Sequence, residues 1–168
     1  MSADPNAPTD SVEAPRGARV VILWSRFNGH VVRKLVDGAR VCLLDHGMSE
    51  SAIDEFEVPG AWELSHAANQ LAKSGRYDAI VALGAVIRGG TPHFDYVCDG
   101  ATQGLLRVML DTRVPVAFGV LTTDDEPQAL ARAGGEHGNK GHDAALTALE
   151  MMVFDRKLQD DGIPTQRP

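Results

Sequence analysis

This chain of 168 residues has few aromatics, few cysteines, no excess of positive charge and no long apolar run. Phe, Trp and Tyr make up only 5% of it, so a core has to be built from Val, Leu, Ile and Ala. The two cysteines, Cys42 and Cys98, do not form a close pair. They read as buried free thiols, not as a disulfide or a metal-binding motif. The formal net charge is −7. That argues against a nucleic-acid surface, which needs a basic stripe. It does not exclude an anionic small ligand, because the field inside a pocket is local. No stretch approaches the roughly 18 apolar residues of a membrane span, and the N-terminus lacks a basic-plus-apolar signal pattern. The expectation is a cytoplasmic protein that binds neither membrane nor nucleic acid.

What is present suits one domain: 43% apolar and 23% charged residues in a chain long enough for a real core. Residues 1–17 are proline-containing, acidic and poor in apolar side chains, and read as a disordered tail. Residues 159–168 read as a frayed end, leaving 18–158 as the folded domain. Within it, strands and helices alternate. Arg19 to Trp24 is a short continuous apolar run, the pattern of a strand buried on both faces. Apolar residues from Val31 to Leu43 recur at helical spacing, and Gly47 stops that helix. Ile53 to Val58 is a weaker strand, broken by Pro59 and Gly60. Trp62 to Lys73 reads as a helix, Tyr77 to Ile87 carries a strand, and Phe94 or Asp95 to about Leu110 is helical despite Gly100 and Gly104. Val114 to Leu121 is another buried strand. Thr123 and Glu126 have capping-box spacing for a short helix that ends at Gly134. The last helix spans Lys140 or Gly141 to Lys157.

The resulting order, β-α-β-α-β-α-β-α-α, predicts a four-stranded parallel sheet flanked by helices on both faces. That is a three-layer α/β/α domain of the flavodoxin-like kind. Ligands of such sheets sit beyond the carboxyl ends of the strands. Phe27 and Asn28, Pro59 to Glu63, Arg88 to His93, and Thr122 and Thr123 all fall there. The segment Ala82 to Val97, ALGAVIRGGTPHFDYV, concentrates the chemistry. It joins a strand, a turn of small residues and an imidazole at the mouth of a helix. Backbone N–H groups at Gly89, Gly90 and Thr91 can meet an anion, and His93 can move protons near neutral pH. The plainer reading is an ordinary connection with an exposed histidine.

Phe27 either stacks on a planar ligand or packs on the next helix. Trp62 and Glu63 offer a ring and a carboxylate near a helix N-terminus. Arg132 has the fork that suits phosphate, although a solvated helix charge is the commoner fate of an arginine. Lys140 stands at a helix start, where a cation opposes the helix dipole. His30, His46, His66, His137 and His142 share no metal-ligand spacing and read as surface residues. The residues alone thus point to a metal-free site for a planar ring and a phosphate, with one acid–base histidine.

Five stretches carry a closer resemblance: SRFNGHVVRKLVDGA, VPGAWEL, ALGAVIRGGTPHFDYV, FGVLTTDDEPQALARAG and GNKGHDAAL. In this order they resemble the lumazine synthase family, from about Arg19 to Met151. The resemblance implies the penultimate step of riboflavin biosynthesis. There, 5-amino-6-(D-ribitylamino)uracil and 3,4-dihydroxy-2-butanone 4-phosphate condense to 6,7-dimethyl-8-ribityllumazine without metal or organic cofactor. By motif position, it implies that His93 gives and takes protons and that Phe27 stacks on the pyrimidine, next to Asn28. Ala61, Trp62 and Glu63 would border the ribityl chain and ring. Ala85, Val86 and Ile87 would meet the pyrimidine through their backbone. Gly90, Thr91 and Arg132 would hold phosphate, with Lys140 nearby, and Phe118 would pack from a neighbouring subunit. Trp62, often Phe in the family, and Gly90, often Ala, are mild departures.

The resemblance also implies a homo-oligomer with sites between subunits: a pentamer, a decamer or a sixty-subunit shell. The segment Gly134 to Gly141 lacks an insertion seen in some pentamer-only relatives. Two other readings compete. A riboflavin synthase of the same fold would dismutate the lumazine, but its substrate carries no phosphate for Gly90, Thr91 and Arg132 to hold. A flavin-binding or shell-forming protein without turnover would not need His93 or Arg132.

Overall fold

Val20–Ser25, buried along its whole length, forms β1 near the middle of a four-stranded sheet. This computed structural model describes residues 12–165. The chain continues through α1 (Gly29–Asp45), β2 (Ile53–Val58), α2 (Leu64–Lys73), β3 (Ala79–Ile87), α3 (His93–Thr112), β4 (Val116–Thr123), α4 (Glu126–Ala131), β5 (Ala133–Gly135), β6 (Gly138–Asn139) and α5 (Lys140–Asp160). The large sheet has the order β2-β1-β3-β4, and its pairs are all parallel. One of its faces packs against α1 and α5 through Val20, Ile22, Val81 and Leu83. The other packs against α2 and α3 through Val21, Leu23, Ile80 and Ala82. Those alternating sets explain why β1 and β3 read as unbroken apolar runs: each face needs its own apolar row. The expected three-layer α/β architecture is the one observed.

Close helix packing depends on missing side chains. A Cβ at Gly141 would fall on the backbone of Leu35, so α1 and α5 meet at near backbone contact. Gly100 and Gly104, which looked like flaws in a helix, lie where α3 receives the Trp62 ring and the Ser65 hydroxyl.

Local departures from expectation have local causes. α2 begins at Leu64, because Ala61–Glu63 forms a separate 3-10 turn. The cap of α4 is Asp125, not Thr123. Asp125 accepts from the Gln128 N–H at 2.8 Å, while Thr123 is still the last residue of β4. α4 ends at Ala131, short of the expected Gly134, and the β5–β6 hairpin follows it. His46 is not a plain surface residue: it caps α1, with its Nδ1 2.7 Å from the Cys42 carbonyl. The domain start expected at 18 falls within packed chain. Val12 and Ala14 lie against the core, and the Ala14 N–H donates to the His46 carbonyl at 2.8 Å. The rest of the expected tail, residues 1–11, and the final 166–168 lie outside the described residues. Both cysteines are free, as expected. Burial first, then the Asp45 and Asp143 charges, push the Cys42 thiol up to about 11. No helix among the described residues is long and apolar enough to cross a membrane.

Candidate active site

The site arises from strands of unequal length. Pairing of β1 with β3 ends at Trp24 and Leu83, whereas β3 runs on to Ile87 with only β4 beside it. The chain order reverses between β1 and β3, since β2 lies on one side and β3 and β4 on the other. Such a switch point leaves a crevice beyond the strand ends. Here it is a cleft of about 770 Å³, within the range of small-molecule sites.

Three loops and one helix start furnish its walls. After β1, the Arg26 and Phe27 N–H groups donate to the Val58 and Pro59 carbonyls at 2.9 and 3.1 Å. Asn28 then turns the chain in the left-handed region (φ 57°), a conformation that asparagine tolerates better than most residues. Its Nδ2 donates to the Ala85 carbonyl at 2.9 Å, which ties the loop to β3. These bonds leave the Phe27 ring 70% exposed at the cleft. The second wall is Pro59 to Glu63. Trp62 lies against Gly100 of α3 yet stays 58% exposed. Two aromatic rings left this open beside one cleft suit a flat apolar ligand.

The third wall is the end of β3 and the turn after it. Ala85, Val86 and Ile87 line the cleft, followed by Gly89, Thr91 and His93. His93 is the first residue of α3, and its side chain is exposed. Among the described residues, no hydrogen bond or ion pair holds its ring. The imidazole therefore faces the cleft with both nitrogens available.

Ten of the expected residues line this cleft: Phe27, Asn28, Ala61, Trp62, Glu63, Ala85, Val86, Ile87, Thr91 and His93. Four do not line it within one chain. Gly90 is exposed in the turn, between two residues that do. Arg132 caps α4, and its Nη1 donates to the Gln128 carbonyl at 3.0 Å. Lys140 pairs with Asp143 one turn along at 2.7 Å, which offsets its poor position at a helix start. Phe118 lies on the edge strand β4, 46% exposed. Phe94, Tyr96 and Val97 line the cleft without having been given a role. Helical spacing could have found the last two, because i+3 and i+4 share the face of His93.

Arg88, expected among the residues beyond the strand ends, does not line the cleft. Its Nε donates to Asp124 at 2.9 Å, its Nη1 to Asp95 at 3.3 Å, and its guanidinium lies 4.2 Å above the Phe94 ring. The Asp124 bond, then Asp95, push its pKa up, although an arginine is a cation at any ordinary pH without them. Among the described residues, no group of three or more His, Cys, Asp or Glu could hold a metal ion.

Residues 17–156 match the family model for 6,7-dimethyl-8-ribityllumazine synthase. The chain is 52% identical over 143 residues to the protein of that name from Chlorobium phaeobacteroides, covering 85% of this chain and 92% of the relative. Its counterpart in Pelodictyon phaeoclathratiforme is 51% identical over 140 residues, covering 83% and 90%. That of Prosthecochloris aestuarii is 52% identical over 137 residues, covering 82% and 88%.

Proposed function

From the premise that this chain belongs to the 6,7-dimethyl-8-ribityllumazine synthase family, we propose that the β1–β3 cleft is the seat of its reaction. The activity is lumazine synthesis in riboflavin biosynthesis, and the chain is a transferase acting on small molecules. 5-Amino-6-(D-ribitylamino)uracil condenses with 3,4-dihydroxy-2-butanone 4-phosphate, releasing phosphate and water.

The observation that carries the site assignment is the convergence of two open aromatic rings, the β3 backbone and His93 on one cleft. The pyrimidine stacks on Phe27. Its edge meets the backbone of Ala85, Val86 and Ile87, and the ribityl chain runs past Asn28, Ala61, Trp62 and Glu63. The butanone phosphate lies toward Gly90 and Thr91, so that His93 stands at the seam between the two substrates.

Each step needs a proton moved there. The uracil amine attacks the ketone, and water leaves as the imine forms. A proton is then lost from the hydroxyl-bearing carbon as phosphate departs, and the enol so formed takes up a proton at its terminal carbon and loses its hydroxyl proton to become a ketone. The ribitylamino nitrogen finally attacks the new carbonyl, and a second loss of water closes the ring. A free imidazole can give and take these protons in turn. Holding both reactants in one cleft supplies much of the remaining acceleration.

Phe118, Arg132 and Lys140 lie off the cleft, and we assign them to the site of an adjacent subunit. Phe118 would close over the pyrimidine, and Arg132, with Lys140, would neutralise the phosphate. What supports this is their common position away from the chain's own cleft and the exposure of Phe118 on an edge strand. The assembly is a pentamer or a larger closed array of pentamers, located in the cytoplasm. The test is a steady-state assay of lumazine formation from the two substrates, with sedimentation velocity on the same sample. Turnover by an assembly of at least five subunits is expected; an active monomer overturns the shared site.

A further inference from the structure

Arg88 stands immediately before the Gly89–Gly90 turn, where an arginine invites a reading as a phosphate clamp. Its contacts argue otherwise. Two carboxylates already occupy it, Asp124 at 2.9 Å and Asp95 at 3.3 Å, and they offset its charge. Its flat face lies over Phe94, and its backbone N–H donates to the Thr123 carbonyl at 2.8 Å. These contacts join three elements: the end of β3, the loop between β4 and α4, and the first turn of α3. Arg88 and Asp124 are 44% and 70% exposed. Ion pairs as open as this add little to stability, so their consequence is geometric.

That geometry bears on His93. The histidine directly precedes Phe94 and Asp95, the two residues of α3 that Arg88 grips. No hydrogen bond from the described residues holds its ring, so the backbone of that first turn sets where the imidazole stands. The turn leading to it, Gly89, Gly90 and Thr91, is exposed and nearly free of side chains. The first turn is held through the buried Phe94 ring and through Arg88, which covers that ring and bonds Asp95.

We propose that Arg88 is a positioning residue. It clamps the first turn of α3 to β4 and so aims His93 at the seam between the substrates. The proposal rests on the reading of His93 as the proton carrier. Displacing a reacting group by about 1 Å can cost up to ~10²-fold in rate.

The experiment is a mutant cycle on the intact oligomer, with kcat and both KM values measured at saturating co-substrate. Arg88→Gln should lower kcat by roughly 10- to 100-fold in the His93 background while the KM for the pyrimidine stays within about twofold. In a His93→Ala background, Arg88→Gln should change the residual kcat by less than about twofold, because there is no imidazole left to aim. Arg88→Lys, which keeps the charge but not the fork, should recover only part of the loss. Asp124→Asn frees one arm of an exposed pair without opening the core. It should lower kcat by roughly threefold with His93 present and leave it unchanged without His93; it decides the matter if Arg88→Gln fails to assemble. Equal losses in both backgrounds, or no loss from Asp124→Asn and Arg88→Gln, overturn the proposal. A His93→Ala enzyme with undiminished kcat would instead overturn the role of His93 itself, so the two failures are distinguishable.

Discussion

The two ends of the same sheet are built to opposite rules. At the amino ends of the strands, polar groups are paired with one another. Asp54 accepts from Arg19 at 3.0 Å and from the Tyr77 hydroxyl at 2.8 Å, with Arg76 at 3.8 Å. Asp78 accepts the Arg19 N–H at 2.9 Å. At the carboxyl ends, Phe27, Trp62 and Tyr96 are left open, Asn28 has a left-handed backbone, and His93 has a free ring. One end consumes its interactions within the fold. The other leaves its rings open at the cleft and holds its loops with backbone bonds, the Asn28 side chain and the Arg88 ion pairs. Mutations should therefore separate: stability without activity at the amino end, activity without stability at the carboxyl end.

The largest effect expected is from His93→Ala. Its kcat should fall about 10²–10⁴-fold, the usual range for loss of a general acid–base group. Its melting temperature should stay unchanged because the ring is exposed; a scanning calorimetry trace beside the assay checks both halves. Gly100→Val sharpens the comparison, because it touches both functions. The new side chain drives into the Trp62 ring, and overpacking of this kind costs about 1–3 kcal/mol. Urea unfolding should show that loss, together with a higher KM for the pyrimidine as Trp62 is displaced.

At the amino end, Asp54→Asn should cost about 1 kcal/mol of stability and leave kcat alone. The Tyr77 hydroxyl, then Arg19, hold the Asp54 carboxyl below its ordinary value of 3.8. A group depressed by folding stabilises fully above its unfolded value and less as pH falls through the folded one. Acid unfolding below that pH should therefore be shallower in the Asn variant than in the parent; identical slopes would remove Asp54 from the account. Phe27→Ala tests the carboxyl end through binding alone. It should raise the KM for the pyrimidine by about 0.5–1.5 kcal/mol beyond lost area, with the KM for the butanone phosphate barely moved. Arg132→Lys should do the reverse, since lysine lacks the bidentate fork.

Legibility in the sequence follows the range of the interactions. β1, β3 and β4 were readable because burial on both faces demands continuous apolar runs. β2 was fainter because Glu55, Phe56 and Glu57 are exposed, whereas β4, though also at an edge, is buried along most of its length. The β5–β6 hairpin gave no periodicity, being short and glycine-rich. Thr123 mimicked a cap because Asp125, two residues on, has the same chemistry and the better place. His93, Phe27 and the β3 end were readable from their positions after strands. Arg88 was not, because its meaning depends on Asp124, 36 residues away. Arg132 and Lys140 were expected at the phosphate but do not line the chain's own cleft, and no local pattern could have said so.

One measurement tests the proposed sharing of the site between subunits directly. His93→Ala and Arg132→Ala chains, carrying different affinity tags, are expressed together, and mixed assemblies are purified through both tags. A site built from two subunits predicts recovery, because some clefts then combine an intact His93 with an intact Arg132 from the neighbour. With random mixing this is roughly a quarter of the parent activity, against almost none for either variant alone. A mixture no more active than its two components would place Arg132 and His93 in one chain's site and contradict the shared cleft.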